Sequence, residues 1–213
     1  MTLVTFLSSA QFKGSGKTIT KTYDYKKFDK INFEDLDGKI EVAIGTSWSI
    51  SVTIDDNLFP LLAFKDNQSE NELTLYFKGN NNNKMYIENT NIKIKITMPE
   101  ASVICHSGNS TLSISNVLGR YFRIENKGNA TTTISGTVDV LEVKNSGNGN
   151  VFAENLIVKT ANVKSSGNGN VKVNVSSTIE ATTTGNGSIF NKGKAKFNSN
   201  SSQSGNGRLI TIY

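Results

Sequence analysis

From about residue 101 onward the chain carries a recurring polar mark inside an alternating pattern. Gly-Asn pairs stand at Gly108-Asn109, Gly128-Asn129, Gly147-Asn148, Gly167-Asn168, Gly185-Asn186 and Gly205-Asn206, with successive spacings of 20, 19, 20, 18 and 20 residues. Four positions before each Gly come Ile104, Ile124, Val143, Val163, Ala181 and Ser201, and four after it come Leu112, Thr132, Val151, Val171, Ile189 and Leu209. Six before are Ser102, Phe122, Leu141, Ala161, Ile179 and Ser199; six after are Ile114, Ile134, Ala153, Val173, Asn191 and Thr211. These even offsets are largely apolar, while odd ones carry Glu125, Glu142, Lys144, Lys164, Lys172 and Glu180. Alternation with period two belongs to strands with one face inward.

No single repeat of this length can bury its inner face alone. Stacking about six coils, each about 4.8 Å above the last, closes a continuous core and pairs every backbone group with the coils above and below. The expectation is a parallel β-solenoid over 101–213. Its corners fall at the repeated glycines Gly108, Gly128, Gly147, Gly149, Gly167, Gly169, Gly185, Gly187, Gly205 and Gly207, where a positive φ costs least. Two before the Gly stand His106, Asn126, Asn145, Ser165, Thr183 and Gln203, an inward column whose polar groups can bond one another along the axis.

The first hundred residues follow another rule. Alternating segments over Lys39 to Ile44, Ser49 to Ile54, Glu72 to Phe77 and Asn91 to Met98 are broken by Asp37-Gly38 and the run Asn80 to Asn83, which reads as antiparallel strands and turns. Leu58 to Phe64 forms a short helix or an irregular turn around Pro60, and Pro99 marks a boundary. Residues 25–100 are therefore expected to pack on, or cap, the first coil. The segment 1–24 reads as the remnant of an export signal with an extension: Leu3 to Leu7 is apolar, and Ser8-Ser9-Ala10-Gln11 has the small residues of a cleavage site after Ala10. No Cys stands near this segment to carry a lipid anchor.

Composition supports strands: 27 Asn and 18 Gly against 2 Pro disfavour helix and favour strands joined by tight turns. No apolar run approaches the length of a membrane-spanning helix, so stable membrane insertion is excluded. Residues 1–100 hold 12 Lys or Arg against 13 Asp or Glu, and residues 101–213 hold 11 against 5, so the excess positive charge lies in the repeats. These cations are scattered without an Arg-rich run or interleaved aromatics, which argues against a nucleic-acid partner.

Catalysis finds little support. Cys105 and His106 are the sole residues of their types, and neighbours on a strand face opposite ways, so they make a poor dyad. The lone Cys105 also rules out an internal disulfide and a multi-cysteine metal centre. Only Glu125, Asp139, Glu142, Glu154 and Glu180 are acidic in the repeats, and the offsets of Glu125 and Glu142 do not require them to converge. Calcium-binding rolls need carboxylates at a nine-residue period, absent here. Thr131 to Thr133 and Thr182 to Thr184 are too few for a threonine face. Trp48, Phe59, Phe64, Tyr76, Phe77 and Tyr86 read as packing of the N-terminal sheet rather than as a sugar platform. No cofactor, metal or catalytic residue is assigned.

Phe28-Asp29-Lys30-Ile31, Gly38 to Val42, Ile94 to Pro99, His106 to Asn109 and the Ser-Gly-Asn-Gly runs Ser146 to Gly149 and Ser166 to Gly169 together resemble the putative auto-transporter adhesin, head GIN domain family, over roughly Tyr25 to Tyr213. The resemblance implies an all-β chain: an N-terminal antiparallel strand region packed on a right-handed parallel β-helix. It also implies an exported protein of a Gram-negative envelope, in the periplasm, on the outer surface or secreted, that binds a glycan or protein ligand without catalysis. Where members place an acid after the repeated Gly, this chain has Asn150, Asn170, Ser188 and Arg208, which argues against a cation. A carbohydrate-active or carbohydrate-binding solenoid and a self-assembling envelope module are the alternatives. Self-association is expected through the apolar strand Leu209, Ile210, Ile212 and Tyr213.

Overall fold

The computed structural model describes residues 11–80, 86–88, 90–129 and 131–212. In chain order the strands are β1 (Gln11–Lys13), β2 (Thr18–Tyr23), β3 (Lys30–Glu34), β4 (Lys39–Ile44), β5 (Ser49–Asp55), β6 (Leu62–Asn67), β7 (Glu72–Phe77), β8 (Tyr86–Glu88) and β9 (Lys93–Met98). The repeats supply β10 (Val103–His106), β11 (Thr111–Asn126), β12 (Thr132–Asn145), β13 (Val151–Ser165), β14 (Val171–Thr183), β15 (Ile189–Asn191), β16 (Ser202–Gln203) and β17 (Leu209–Thr211). Pro60 sits in a 3-10 turn over Phe59–Leu61 leading into β6. The proposed cleavage site after Ala10 lies outside the described residues.

Strands β10 to β17 form a parallel β-solenoid of about five turns, one fewer than the six corners that bound them. Pairing is coil to coil: Ile104 lies level with Ile124, Ile124 with Val143, Val143 with Val163, and Val163 with Ala181. On the next side Leu112, Thr132, Val151, Val171, Ile189 and Leu209 stack in the same way. These residues are buried except Leu209 in the last coil, so the even-offset columns are the core. A third side buries Val117, Val138, Leu156, Val158, Val175 and Ala195. There the register slips, between Ile114 and Val117, Thr133 and Ser135, and Ala153 and Ile157, so that Val117 and Leu156 lie eleven, and Val138 and Val158 nine, residues before the next Gly, at odd offsets where the other two sides use even ones.

The N-terminal region does more than cap. Antiparallel pairs are present, β2 with β5, β5 with β9 and β6 with β7. In addition, β3 lies parallel between β7 and β10, and β4 parallel between β9 and β11. The core columns therefore run through Leu73, Ile31 and Ile104 on one side and Ile94, Ile40 and Leu112 on the other, across the boundary drawn at Pro99. The expected antiparallel strands are thus joined by parallel ones, which alternation does not reveal because it looks the same whichever direction a partner runs. A buried carboxylate ties the region together: Asp55 accepts the backbone N–H of Asn91 (2.7 Å), the Asn91 amide (3.1 Å) and the N–H of Gly16 (2.9 Å). Burial alone would raise its pKa; the donors from Asn91 and Gly16 outweigh that and hold it below the usual aspartate value.

Of the aromatics assigned to packing, Phe77 is buried, while Trp48, Phe59, Phe64 and Tyr76 are half-buried. The side chain of Tyr86 lies outside the described residues. Phe64 packs between Tyr23 and Tyr25, with ring centroids 4.3 and 5.2 Å away, and Trp48 donates its indole N–H to the Phe28 carbonyl (3.1 Å).

Candidate interaction surface

Every Gly-Asn pair lies at a bend between two sides of a coil. The physical reason for glycine differs from the expected one. Of the ten repeat glycines only Gly108 (φ 105°) and Gly205 (φ 82°) have left-handed backbone. Proximity is the reason at most of the others, because a Cβ on Gly128, Gly147, Gly167 or Gly185 would stand 2.0, 1.9, 1.8 or 2.1 Å from the carbonyl oxygen of the glycine one coil earlier in the chain. A second column repeats this, with Gly169, Gly187 and Gly207 at 1.9, 2.0 and 2.2 Å from the oxygens of Gly149, Gly169 and Gly187. Those carbonyls point along the axis and several accept coil-to-coil bonds, Asn129 N–H to Gly108 (3.0 Å) and Gly149 N–H to Gly128 (3.1 Å) among them. Backbone stacks on backbone here, and no side chain fits between.

Beside this glycine ladder runs an exposed ladder of amides. The side-chain N–H of Asn129 bonds the side-chain oxygen of Asn109 (2.8 Å), and Asn148 bonds Asn129 (3.0 Å), Asn168 bonds Asn148 (2.6 Å), Asn186 bonds Asn168 (2.7 Å) and Asn206 bonds Asn186 (2.8 Å). Each inner member spends one N–H and one lone pair on its neighbours and keeps one of each for solvent. A further row uses side-chain oxygens to accept backbone N–H groups of the next coil: Asn150 from Asn170 (2.9 Å), Asn170 from Ser188 (2.9 Å) and Ser188 from Arg208 (3.1 Å). The residues that replace the family's acid thus serve the stack itself.

The inward polar column is present but bonds along the axis only near its top. His106 Nδ1 meets the Asn126 oxygen (3.2 Å), its Nε2 meets the Ser110 hydroxyl (2.6 Å), and Asn126 donates to the Asn145 oxygen (2.9 Å). Lower down, the column turns to corner carbonyls: Asn145 donates to Gly169 O (3.2 Å) and Thr183 to Gly187 O (2.8 Å). Gln203 is exposed, and its oxygen accepts Leu209 N–H (3.2 Å).

On the outward face the two acids judged free to diverge meet one network. Arg123 pairs with Glu125 and reaches Glu142 (3.9 Å); Lys144 sits 3.5 Å from Glu125 and 3.7 Å from Glu142; Lys127 is 3.4 Å from Glu125; Tyr121 donates to Glu142 (2.8 Å). Register explains it, since Arg123 lies level with Glu142 and Glu125 with Lys144. Although burial would raise Glu125, Arg123, Lys127 and Lys144 keep its pKa below the usual range. Cys105 faces outward and His106 inward, as parity requires, and burial with Glu125 nearby pushes the thiol up to about 11. A cleft of about 460 Å³ beside it is lined by Asn32, Glu34, Tyr76, Ser107 and Lys127. Its one thiol is protonated at neutral pH. Among the described residues no three His, Cys, Asp or Glu side chains gather to hold a metal.

The edge strand β17 pairs with β15 alone among the described residues; Leu209 and Ile210 are half-buried and Ile212 is exposed. Tyr213 lies outside the described residues.

The chain is thus a strand-capped parallel β-solenoid with stacked glycines and an exterior amide ladder. The chain belongs to the family described as "Putative auto-transporter adhesin, head GIN domain", whose profile matches residues 27–195. It is similar to the crystal structure of a putative adhesin from Bacteroides fragilis, with a TM-score of 0.73 and 24% identity over 94% of this chain and 100% of that one. Putative adhesins from Parabacteroides merdae (TM-score 0.58, 20% identity, 95% and 99% covered) and Parabacteroides distasonis (TM-score 0.52, 20% identity, 95% and 100% covered) share the fold. No curated protein matches the chain.

Proposed function

We propose that the chain is an exported envelope or surface interaction module, without catalysis, that holds a glycan along its amide ladder. The observation that carries this reading is the unbroken run from Asn109 to Asn206. It presents one donor and one acceptor per coil at about 4.8 Å intervals beside the close-packed glycine stack. Such a row suits a polymer with regularly spaced hydroxyls, to which many weak contacts add up. Membership of an adhesin family supports the surface setting, and no helix among the described residues is long and apolar enough to cross a membrane. A glycan array probed with the purified chain tests the reading. The Asn129→Ala, Asn148→Ala, Asn168→Ala triple variant, which leaves the glycine stack intact, is expected to lose the signal; an array with no hit, or hits unchanged in the variant, rejects it.

The free edge of β17 supports a second reading, self-association by strand addition through Leu209 to Thr211. Light scattering of the wild type against Ile210→Lys, Ile212→Lys distinguishes the two, since a wild-type chain monomeric at high micromolar concentration excludes this one.

A further inference from the structure

The described residues contain five exposed large hydrophobic side chains, and four of them share one corner: Leu118 (73% exposed), Ile157 (59%), Tyr121 (41%) and Val140 (40%). Register places them in two adjacent columns. Leu118, Thr137 and Ile157 stack in one, and Tyr121, Val140, Thr160 and Thr178 in the other. Between the columns the exposed Arg120, Asp139 and Lys159 lie level with one another, because their neighbours on both sides are paired. Toward the C-terminal end the same corner carries exposed Lys194 and Lys196, positioned by the Ala195 N–H to Val175 O bond (3.0 Å) and the Ile179 to Phe197 bridge. Four cations against Asp139 leave this ridge with an excess of three positive charges.

Scattered exposed apolar residues need no explanation, but a contiguous group does. Here the group stands on a convex corner, where no wall would grip a pocket-filling ligand. Leu, Ile and Val offer little to sugar hydroxyls, so this ridge and the amide ladder call for different partners. Pressed against a second copy of itself, the ridge would bring Arg120, Lys159, Lys194 and Lys196 toward like charges. A flat apolar layer beneath a negatively charged skin matches it on both counts. We propose that this ridge docks peripherally on an anionic lipid surface, with Leu118, Tyr121, Val140 and Ile157 entering the headgroup boundary and the four cations resting against the phosphates. The contact is reversible and involves no spanning element.

Sedimentation with phosphatidylcholine vesicles, with and without about a third phosphatidylglycerol, tests the proposal on the full chain. Binding is expected only to the anionic vesicles and is expected to fall as salt rises. Each cation near such a surface contributes about fivefold in partitioning, so Arg120→Glu with Lys159→Glu should weaken it by about 25-fold or more. Leu118→Ser with Ile157→Ser should weaken it by a similar factor, while Lys164→Glu, on another face, should leave it unchanged. All these positions are exposed, and melting curves will show whether the variants remain folded. Failure to bind either vesicle type overturns the proposal, as does equal weakening by Lys164→Glu, which would indicate diffuse charge alone. A mass above the monomer that Leu118→Ser with Ile157→Ser abolishes would assign the ridge to a second copy and also overturn it. None of these outcomes bears on the amide ladder, which occupies a different corner.

Discussion

Two corners of the same coil are built on opposite principles. At the Gly-Asn corner the chain returns to the same place each turn, with the carbonyl oxygen of the preceding coil so close that a Cβ would stand about 2 Å from it. Just before the ridge bearing Leu118 and Ile157 the register slips from coil to coil, between Ile114 and Val117, Thr133 and Ser135, and Ala153 and Ile157, and the outward residues then change from Leu118 to Thr137 to Ile157. Close backbone packing leaves one corner nothing to vary except the amide it presents. Bulges free the other to carry different side chains in each coil without disturbing the stack. A solenoid can thus keep its repeat and its individuality on separate edges.

The contrast breaks most sharply where a charge is introduced. Val163 is buried between Val143 and Ala181, so Val163→Asp places a carboxylate in the dry stack and should cost about 5 kcal/mol, enough to unfold the chain at ordinary temperature. Ile157→Asp, six residues earlier on the exposed ridge, should change stability by less than about 0.5 kcal/mol. Urea midpoints of the two variants check this directly; similar midpoints would mean that the ridge is packed against something.

A smaller effect separates two glycines. Gly167→Ala drives a methyl group to 1.8 Å from Gly147 O and must part the coils, at about 3 kcal/mol. Gly119, on the ridge side, has open space around the same methyl position but a φ of 150°, so Gly119→Ala should cost only about 1 to 2 kcal/mol of backbone strain. Thermal melting that ranks them the other way would show that backbone torsion, rather than close approach, selects the corner glycines.

The same division decides what could be read from the chain alone. Ile104, Val143 and Val171 were legible as core because the strands flanking the Gly-Asn corner hold a fixed offset and parity does the rest. Val117 and Leu156 were not, because the slips in register put both nine residues after the Gly, an odd offset that the alternation of the other two sides marks as outward. Rungs β3, β4, β7 and β9 escaped as parallel partners since alternation carries no information about strand direction. The amide ladder does leave a signal in the sequence: Asn occupies an odd, outward offset next to all six glycines. Meeting of Glu125 and Glu142 required knowing that Arg123 lies level with Glu142. Lys192, Lys194 and Lys196 form a basic group that the sequence alone displays.

Acidity should sharpen the comparison within the stack. Burial lowers the pKa of His106 below its ordinary 6.5, against the opposing pull of its Asn126 bond and the Asp37 charge. The unfolded chain therefore takes up a proton at a higher pH than the folded one, and stability falls as pH drops through about 6.5 toward the folded value. Above that window this contribution is fully present. The depressed carboxylates Asp55 and Glu125 lose theirs only at lower pH, below the ordinary carboxylate range, so the two regimes separate. A urea midpoint lower at about pH 5.5 than at about pH 7.5 is expected, and His106→Gln should flatten the difference. A wild type with equal midpoints at both values would indicate that water reaches the imidazole.

The least costly change tests the ladder itself. In Asn148→Asp the carboxylate can still accept from Asn168, whose N–H lies 2.6 Å from the side-chain oxygen, but it can no longer donate to Asn129 at 3.0 Å. One exposed bond is lost and one becomes charge-assisted, so stability should shift by no more than about 1 kcal/mol. Asn148→Leu removes both bonds at the same exposed site and should cost slightly more, because the amides of Asn129 and Asn168 then turn to water rather than going unpaired. If the ladder served only to hold the coils together, the two substitutions would destabilise as much as Gly167→Ala. Small shifts in both, read by melting temperature, would leave the glycine stack as the element that fixes this corner and the amides as groups turned outward for use.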